Sequence, residues 1–161
     1  MAPRLSFCYM VSQNGTIRMT TMSTLERAIE IAARAHAGQK DKAGAPYIFH
    51  PLRVMLSLSS PEEQITAVLH DVIENSDIKL DDIRREGFSS TVVMALASVT
   101  RRPGEPYNQY IVRAAANPIG RRVKLADLED NCDPSRITKP TRSDHDRVVK
   151  YRRAIELIMK C

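Results

Sequence analysis

The chain has no tryptophan, and aromatic residues make up only 5% of its 161 positions. Proteins that read single-stranded nucleic acid stack bases on aromatic rings, so that class of function lacks its usual equipment here. There are three cysteines, Cys8, Cys132 and Cys161, an odd number with no metal-ligand spacing. They read as free thiols in a reducing compartment, which points to the cytoplasm. Nowhere do 18 apolar residues follow one another, so no helical membrane span is expected. No long apolar segment with a cleavage site opens the chain, so secretion is not expected either. After residue 20 no apolar–polar alternation of strand type appears.

What remains is ordinary globular material, 43% hydrophobic and 27% charged, in a length that makes one domain with a real core. The net charge of +5 favours a polyanionic partner. With few aromatics and no RNA-binding signature, a small phosphorylated molecule is the better fit than nucleic acid.

The segment 1–22 differs from the rest and is expected to be an extension, either a short hairpin around Asn14-Gly15 or a disordered tail. From Ser23 onward the pattern is helical. Ser23 with Glu26 reads as a capping box, with Gly38 as the stop. "HPLRVMLSL" opens a second helix with Pro51 early in it. Ser60, Pro61 and Glu63 start a third that runs through Ile73. Five more follow: "DDIRREG", "TVVMALASVT" capped by Ser89, "EPYNQYIVRAAA", "GRRVKLADLEDN", and a last one from near Ser143. The expectation is an all-α single domain over 23–161, a bundle of seven or eight helices.

The third helix carries the chemistry. At about 100° per residue, Ile65, Val68, Leu69, Val72 and Ile73 form one stripe, and His70, Asp71 and Glu74 lie opposite. That polar face is either solvated, as most are, or a set of divalent-metal ligands. It holds no lysine or arginine, unlike a typical solubilising face. His145-Asp146 is a second His-Asp pair, set in the polar first turn of the last helix and read as solvated. Two partners for the first pair are in view. His50 sits at a loop-to-helix junction. Asp127 shares a face with Lys124 and Asn131 in an apolar setting, where a metal or Lys124 would have to satisfy it. His36 falls on the apolar stripe of the first helix and reads as a core histidine.

The motifs "AHAGQ…DKAGAPYIFHPLRV", "AVLHDVIEN", "VTRRPGEPY" and "RRVKLADLEDN", in that order, resemble the HD-domain hydrolases of the RelA/SpoT family. More narrowly they resemble the small alarmone hydrolases, the stand-alone members that include the metazoan SpoT homologue. The likeness runs from about Leu25 to about Ile158. It implies a helical HD-domain bundle that binds one divalent ion, usually Mn²⁺, through His50, His70, Asp71 and Asp127. It implies hydrolysis of the 3′-pyrophosphate of (p)ppGpp, with Glu74 facing the attacking water. Lys42, Lys124, Asn131, Arg101 or Arg102, and Tyr107 or Tyr110 become candidate substrate contacts. The partner is then a nucleotide and not a membrane or nucleic acid, the protein a monomer or homodimer, and no synthetase activity is expected.

Two positions depart from that family's pattern. Asn75 stands where an aspartate of the catalytic pair is usual, and an amide cannot take a proton from water. A weakened or altered hydrolase is expected, and Asn75→Asp is expected to raise kcat. Asp41 stands where an arginine stacks on guanine, which leaves the base open between guanine and adenine and brings in (p)ppApp. Two rival readings are another HD-type nucleotide phosphohydrolase and a non-catalytic alarmone-binding module.

Overall fold

The computed structural model describes residues 23–133 and 140–161; the expected hairpin or tail in 1–22 lies outside them. Among the described residues there are nine helices and no strand: α1 (Leu25–Ala35), α2 (Phe49–Leu56), α3 (Pro61–Leu69), α4 (Val72–Asn75), α5 (Leu80–Arg85), α6 (Ser90–Val99), α7 (Tyr107–Ala115), α8 (Pro118–Cys132) and α9 (Arg142–Lys160). None of them is long and apolar enough to cross a membrane.

Local chemistry sets most of the boundaries. The side chains of Ser60, Ser89 and Asn117 accept backbone N–H groups at the starts of α3, α6 and α8, which satisfies donors that a helix start leaves unpaired. Thr141 and Asp144 form a reciprocal capping box on α9. At α1 the cap is Thr24, which accepts from Arg27 N. The expected Ser23 cap is off by one: Ser23 Oγ instead donates to the Glu86 carbonyl and ties α1 to the end of α5.

A larger correction concerns the third helix. It does not run through Ile73 but stops at Leu69 and restarts as α4. His70 Nδ1 donates to the Ala67 carbonyl at 2.7 Å. A continuing helix would offer that carbonyl to the Asp71 N–H. The side chain therefore competes with the backbone and ends the helix. That split raises the count from eight to nine.

α3 packs against α1, α2, α6 and α8. Its residues Ile65 through Leu69 are all buried, so it has no solvated face along this stretch. The stretch is apolar all round apart from Thr66, as suits a helix buried on all sides, and it delivers His70, 3% exposed, at its end. α6 and α8 come so close that a Cβ at Gly120 would lie 2.1 Å from Ser98 Oγ and 3.0 Å from the Ala114 carbonyl oxygen. The close approach draws α8, and with it Asp127, onto the central helix.

Candidate metal centre and substrate cavity

Three helices bring three side chains to one point. His50 comes from the first turn of α2, His70 from the end of α3 and Asp127 from the middle of α8, and all three are buried. One ligand atom from each lies within 4.8 Å of the other two. His50 Nε2 is 3.2 Å from Asp127 Oδ1, and His70 Nε2 is 3.6 Å from it. Asp71, in the turn between α3 and α4, places Oδ2 3.3 Å from His70 Nε2 and 3.6 Å from His50 Nε2.

These spacings fit a shared cation. Ligands about 2.1 Å from one ion stand about 3.0 Å apart at a right angle and about 3.4 Å apart at a tetrahedral one. His70 Nε2 is buried and has no hydrogen-bond partner among the described residues, a costly state for a polar atom unless something else binds it. Both imidazoles are also oriented from behind. His50 Nδ1 donates to Asp130 Oδ2 at 2.6 Å, and His70 Nδ1 to the Ala67 carbonyl. Each Nε2 is thereby turned toward the carboxylates; a bound cation would take the place of the proton there, leaving the Nδ1–H tautomer that metal ligation uses. Two nitrogens and two carboxylates suit a first-row divalent ion.

The electrostatics point the same way. Burial opposes protonation of His70, but the charges of Asp71 and Asp127 prevail and push its imidazole up to about 9. His50 also shifts upward, because hydrogen bonds to Asp127 and Asp130 outweigh its burial. Burial would raise Asp127, yet Lys124 and the two imidazoles hold it well below the usual carboxylate range. The pair of acids draws positive charge to this point. Lys124 Nζ supplies some, at 2.6 Å from Asp127 Oδ2, and Asn131 donates to Asp127 Oδ1 at 2.6 Å. Both alternatives for Asp127, the lysine and a cation, are thus compatible, one at each oxygen.

The cluster floors a cavity of about 450 Å³. Six basic side chains border it: Lys40, Lys42, Arg101, Lys124, Arg147 and Lys150. Glu74 borders it as well, with Oε1 accepting the Arg101 N–H at 2.6 Å. Lys42 stands 3.5 Å from Asp144. Tyr107 and Tyr110 line one wall. The Tyr107 hydroxyl is buried and unpartnered among the described residues, whereas Tyr110 donates to the Val99 carbonyl.

Some expected contacts are differently placed. Asp41 borders the cavity, but its Oδ1 accepts the Ala43 and Ala45 N–H groups at 2.9 and 3.0 Å, so it builds the loop that carries it. Arg101 directs Nε and Nη2 to the Glu105 carbonyl, and Arg102 does not border the cavity. Asn75 does not border it either; it is exposed, and its backbone carbonyl accepts from Gln39 Nε2 at 3.1 Å. His36 is buried against Gln39, and His145 and Asp146 are exposed.

Sequence reasoning passed over Tyr47, whose hydroxyl donates to Asp71 Oδ2 at 2.5 Å, and Asp130. It also passed over Arg147, Lys150 and Tyr151 of α9, which close one side of the cavity. Asp130 had a signal: it lies one turn beyond Asp127 and so shares its face. The α9 residues had none.

No family model matches the chain. It is 33% identical over 136 residues to a GTP pyrophosphokinase of Streptomyces coelicolor, covering 76% of this chain and 16% of that protein. It is 35% identical over 119 residues to the guanosine-3′,5′-bis(diphosphate) 3′-pyrophosphohydrolase of Aquifex aeolicus, covering 66% and 17%. The chain thus spans about a sixth of the length of these curated relatives, at 16% and 17%. A human guanosine-3′,5′-bis(diphosphate) 3′-pyrophosphohydrolase matches end to end more evenly, 35% identical over 142 residues, 79% of this chain and 78% of that one. Among solved structures, a metazoan SpoT orthologue described as hydrolysing ppGpp shares the fold, with a TM-score of 0.69 at 23% identity over 83% of this chain and 84% of that one.

Proposed function

The chain belongs to the family of RelA/SpoT-type guanosine-3′,5′-bis(diphosphate) 3′-pyrophosphohydrolases, and on that premise we propose that it is a metal-dependent hydrolase of an alarmone nucleotide. Its substrate is (p)ppGpp or (p)ppApp. Water cleaves the O3′–P bond and releases pyrophosphate and the nucleoside 5′-di- or triphosphate. The observation that carries this reading is the meeting of one ligand atom each from His50, His70 and Asp127 within 4.8 Å of one another, with Asp71 Oδ2 3.3 Å from His70 Nε2 and 3.6 Å from His50 Nε2, beside a basic cavity.

These four residues hold the ion, which we take to be Mn²⁺. When bound, it supplies Lewis acidity and offsets charge on the phosphoryl oxygens. The chain's own groups do the rest. Glu74, anchored by the Arg101 N–H, takes the proton of the attacking water as general base. Lys42, Lys124 and Arg101 line the path of the phosphates, where fixed cations stabilise negative charge. Asn131 and the unpartnered Tyr107 hydroxyl offer hydrogen bonds to the nucleoside. Asp41 shapes the wall beside the base through its loop. With Cys132 and Cys161 free, the cytoplasm is the fitting compartment.

The test is a product assay with ppGpp and pppApp side by side, with and without Mn²⁺. We expect Mn²⁺-dependent release of pyrophosphate from at least one. Orthophosphate as the product would favour another HD-type phosphohydrolase, and tight nucleotide binding without turnover would favour a binding module.

A further inference from the structure

We propose that Arg113 and Glu105 are positioning residues for the attack on phosphorus, acting through the Arg101 N–H on the Glu74 carboxylate. The inference rests on reading Glu74 as the general base. Glu74 lies in α4 and is exposed. Among the described residues its carboxylate has one hydrogen bond, from the Arg101 N–H to Oε1 at 2.6 Å. A glutamate side chain has much rotamer freedom to lose, so a single bond holds it only as well as the donor is held. Where the base meets water therefore depends on what fixes the backbone of Arg101.

One guanidinium fixes it. Arg113, in the last turn of α7, has five N–H donors, and each has a partner. Nε and Nη2 grip Glu105 Oε1 and Oε2, both at 2.7 Å. Nη1 donates to the Ala97 and Ser98 carbonyls at 2.7 and 3.1 Å, and Nη2 to the Thr100 carbonyl at 2.9 Å. Those three carbonyls close α6, where a helix leaves its last acceptors unpaired. With every donor engaged and no place in the cavity wall, Arg113 has nothing to offer a phosphate. Glu105 passes the restraint on. Its Oε2 accepts the Arg102 N–H at 3.0 Å, and its backbone carbonyl accepts Arg101 Nε and Nη2 at 3.1 and 2.8 Å. Residues 102–105 close a turn, with the Glu105 N–H donating to the Arg102 carbonyl at 3.1 Å and Gly104 at φ 72°, as a type II turn requires of its third residue. Arg101 is thus held from both sides, by the end of α6 through Thr100 and by the turn through Glu105. The Arg113 and Glu105 side chains are only 20% and 10% exposed, and a two-pronged pair of this kind is both strong and geometrically specific.

The experiment is a double-mutant cycle between Arg113→Lys and Glu74→Gln in the full-length protein at saturating Mn²⁺. It measures kcat and KM on whichever of ppGpp and pppApp the parent cleaves. Lysine keeps a cation but loses the fork. Misplacing a reacting group by about 1 Å costs on the order of 100-fold, so Arg113→Lys should lower kcat by about 10–100-fold, with a smaller change in KM. Glu105→Gln breaks the same fork from the other side, should act in the same direction, and carries the cycle if Arg113→Lys does not fold. In the Glu74→Gln background neither should lower kcat further, since residues acting through one contact are not additive. Mn²⁺ affinity should not change, because neither side chain bonds to a proposed ion ligand. The Arg101 amide should exchange with solvent faster in both variants, while the amides of α3 keep their protection. A kcat unchanged by both substitutions, a kcat lowered by the same factor with and without Glu74, or an Arg101 amide that exchanges no faster overturns the proposal alone. A Glu74→Gln protein that keeps the parent's kcat overturns the general-base reading, and this inference with it. A parent that cleaves neither nucleotide overturns the proposed function and both.

Discussion

Asp130 holds His50 and Arg53, and replacing it tests the value of orienting that imidazole. His50 Nδ1 donates to Asp130 Oδ2 at 2.6 Å, and Nε2 is thereby aimed at Asp127 and Asp71. Asp130→Asn keeps the shape and an acceptor oxygen but removes the charge. A hydrogen bond to a charged group contributes about 1.5–3 kcal/mol and a neutral one about 0.5–1.5 kcal/mol. The difference, about 1–1.5 kcal/mol, corresponds to roughly five- to tenfold in affinity at about 1.4 kcal/mol per decade. Asp130→Ala goes further, because it leaves a buried Nδ1–H without an acceptor, which costs about 1–3 kcal/mol. It should approach the upper part of the roughly 10–100-fold range for such partners. Arg53 also loses its bond to Asp130 Oδ1, but its side chain is 41% exposed and can turn to water. The assay is a titration of stripped protein followed by the electron paramagnetic resonance of free Mn²⁺, with activity rechecked at saturating Mn²⁺, where most of it should return. An Asp130→Ala protein that binds Mn²⁺ within twofold of the parent would refute the reasoning.

Three further outcomes are expected. The Arg113 guanidinium beside Glu105 holds that carboxyl at about 2, below its ordinary 4.5; a depressed folded value stabilises above the unfolded one and is lost as pH falls. Thermal melts of the parent should therefore steepen their decline from about pH 4.5 toward 2, and Glu105→Gln should flatten it; identical slopes would count against the pair. Gly120→Ala forces a methyl to within 2.1 Å of Ser98 Oγ and should destabilise by about 1–3 kcal/mol, seen as a lower melting temperature that Ser98→Ala partly restores. His145→Ala should leave activity and Mn²⁺ binding unchanged, because His145 is exposed and does not border the cavity; loss of turnover in a folded variant would mean that the wrong His-Asp pair had been chosen.

Most helix starts are legible in the sequence because capping is local: a serine, asparagine or threonine and the N–H it accepts lie within three residues. The break after Leu69 is not legible, since periodicity carries smoothly through "AVLHDVIEN". It arises because a buried imidazole takes a backbone carbonyl in a helix packed on four sides. The proposed ligands could be singled out because histidines and aspartates in apolar settings are uncommon and their motifs have a recognisable order. The groups that orient them could not. Asp130 acts on a residue 80 positions away, and Tyr47 acts 24 positions away, at distances for which no spacing rule exists. Asp41 has a local role that its motif does not display: its Oδ1 accepts its own loop's N–H groups.

The cavity has a floor and a rim of different physical kinds. Its floor stands on α2, α3 and α8, which share the core. Its rim comes from 40–46, 100–106 and the first half of α9, and among the described residues no buried hydrophobic side chain falls in 40–46, 100–106 or 140–153. Exposed substitutions away from caps and networks usually change stability by within about 0.5 kcal/mol, whereas core changes cost several times that. Outside the Asp41 loop bonds, the Glu105–Arg113 pair and the Thr141–Asp144 cap, mutational drift is therefore cheap where the nucleotide would be chosen and expensive where the phosphorus would be attacked. Descendants of such a fold can diverge in the base or phosphate pattern they accept while inheriting one hydrolytic floor, and directed evolution toward a new nucleotide has its widest tolerated library in those three rim segments.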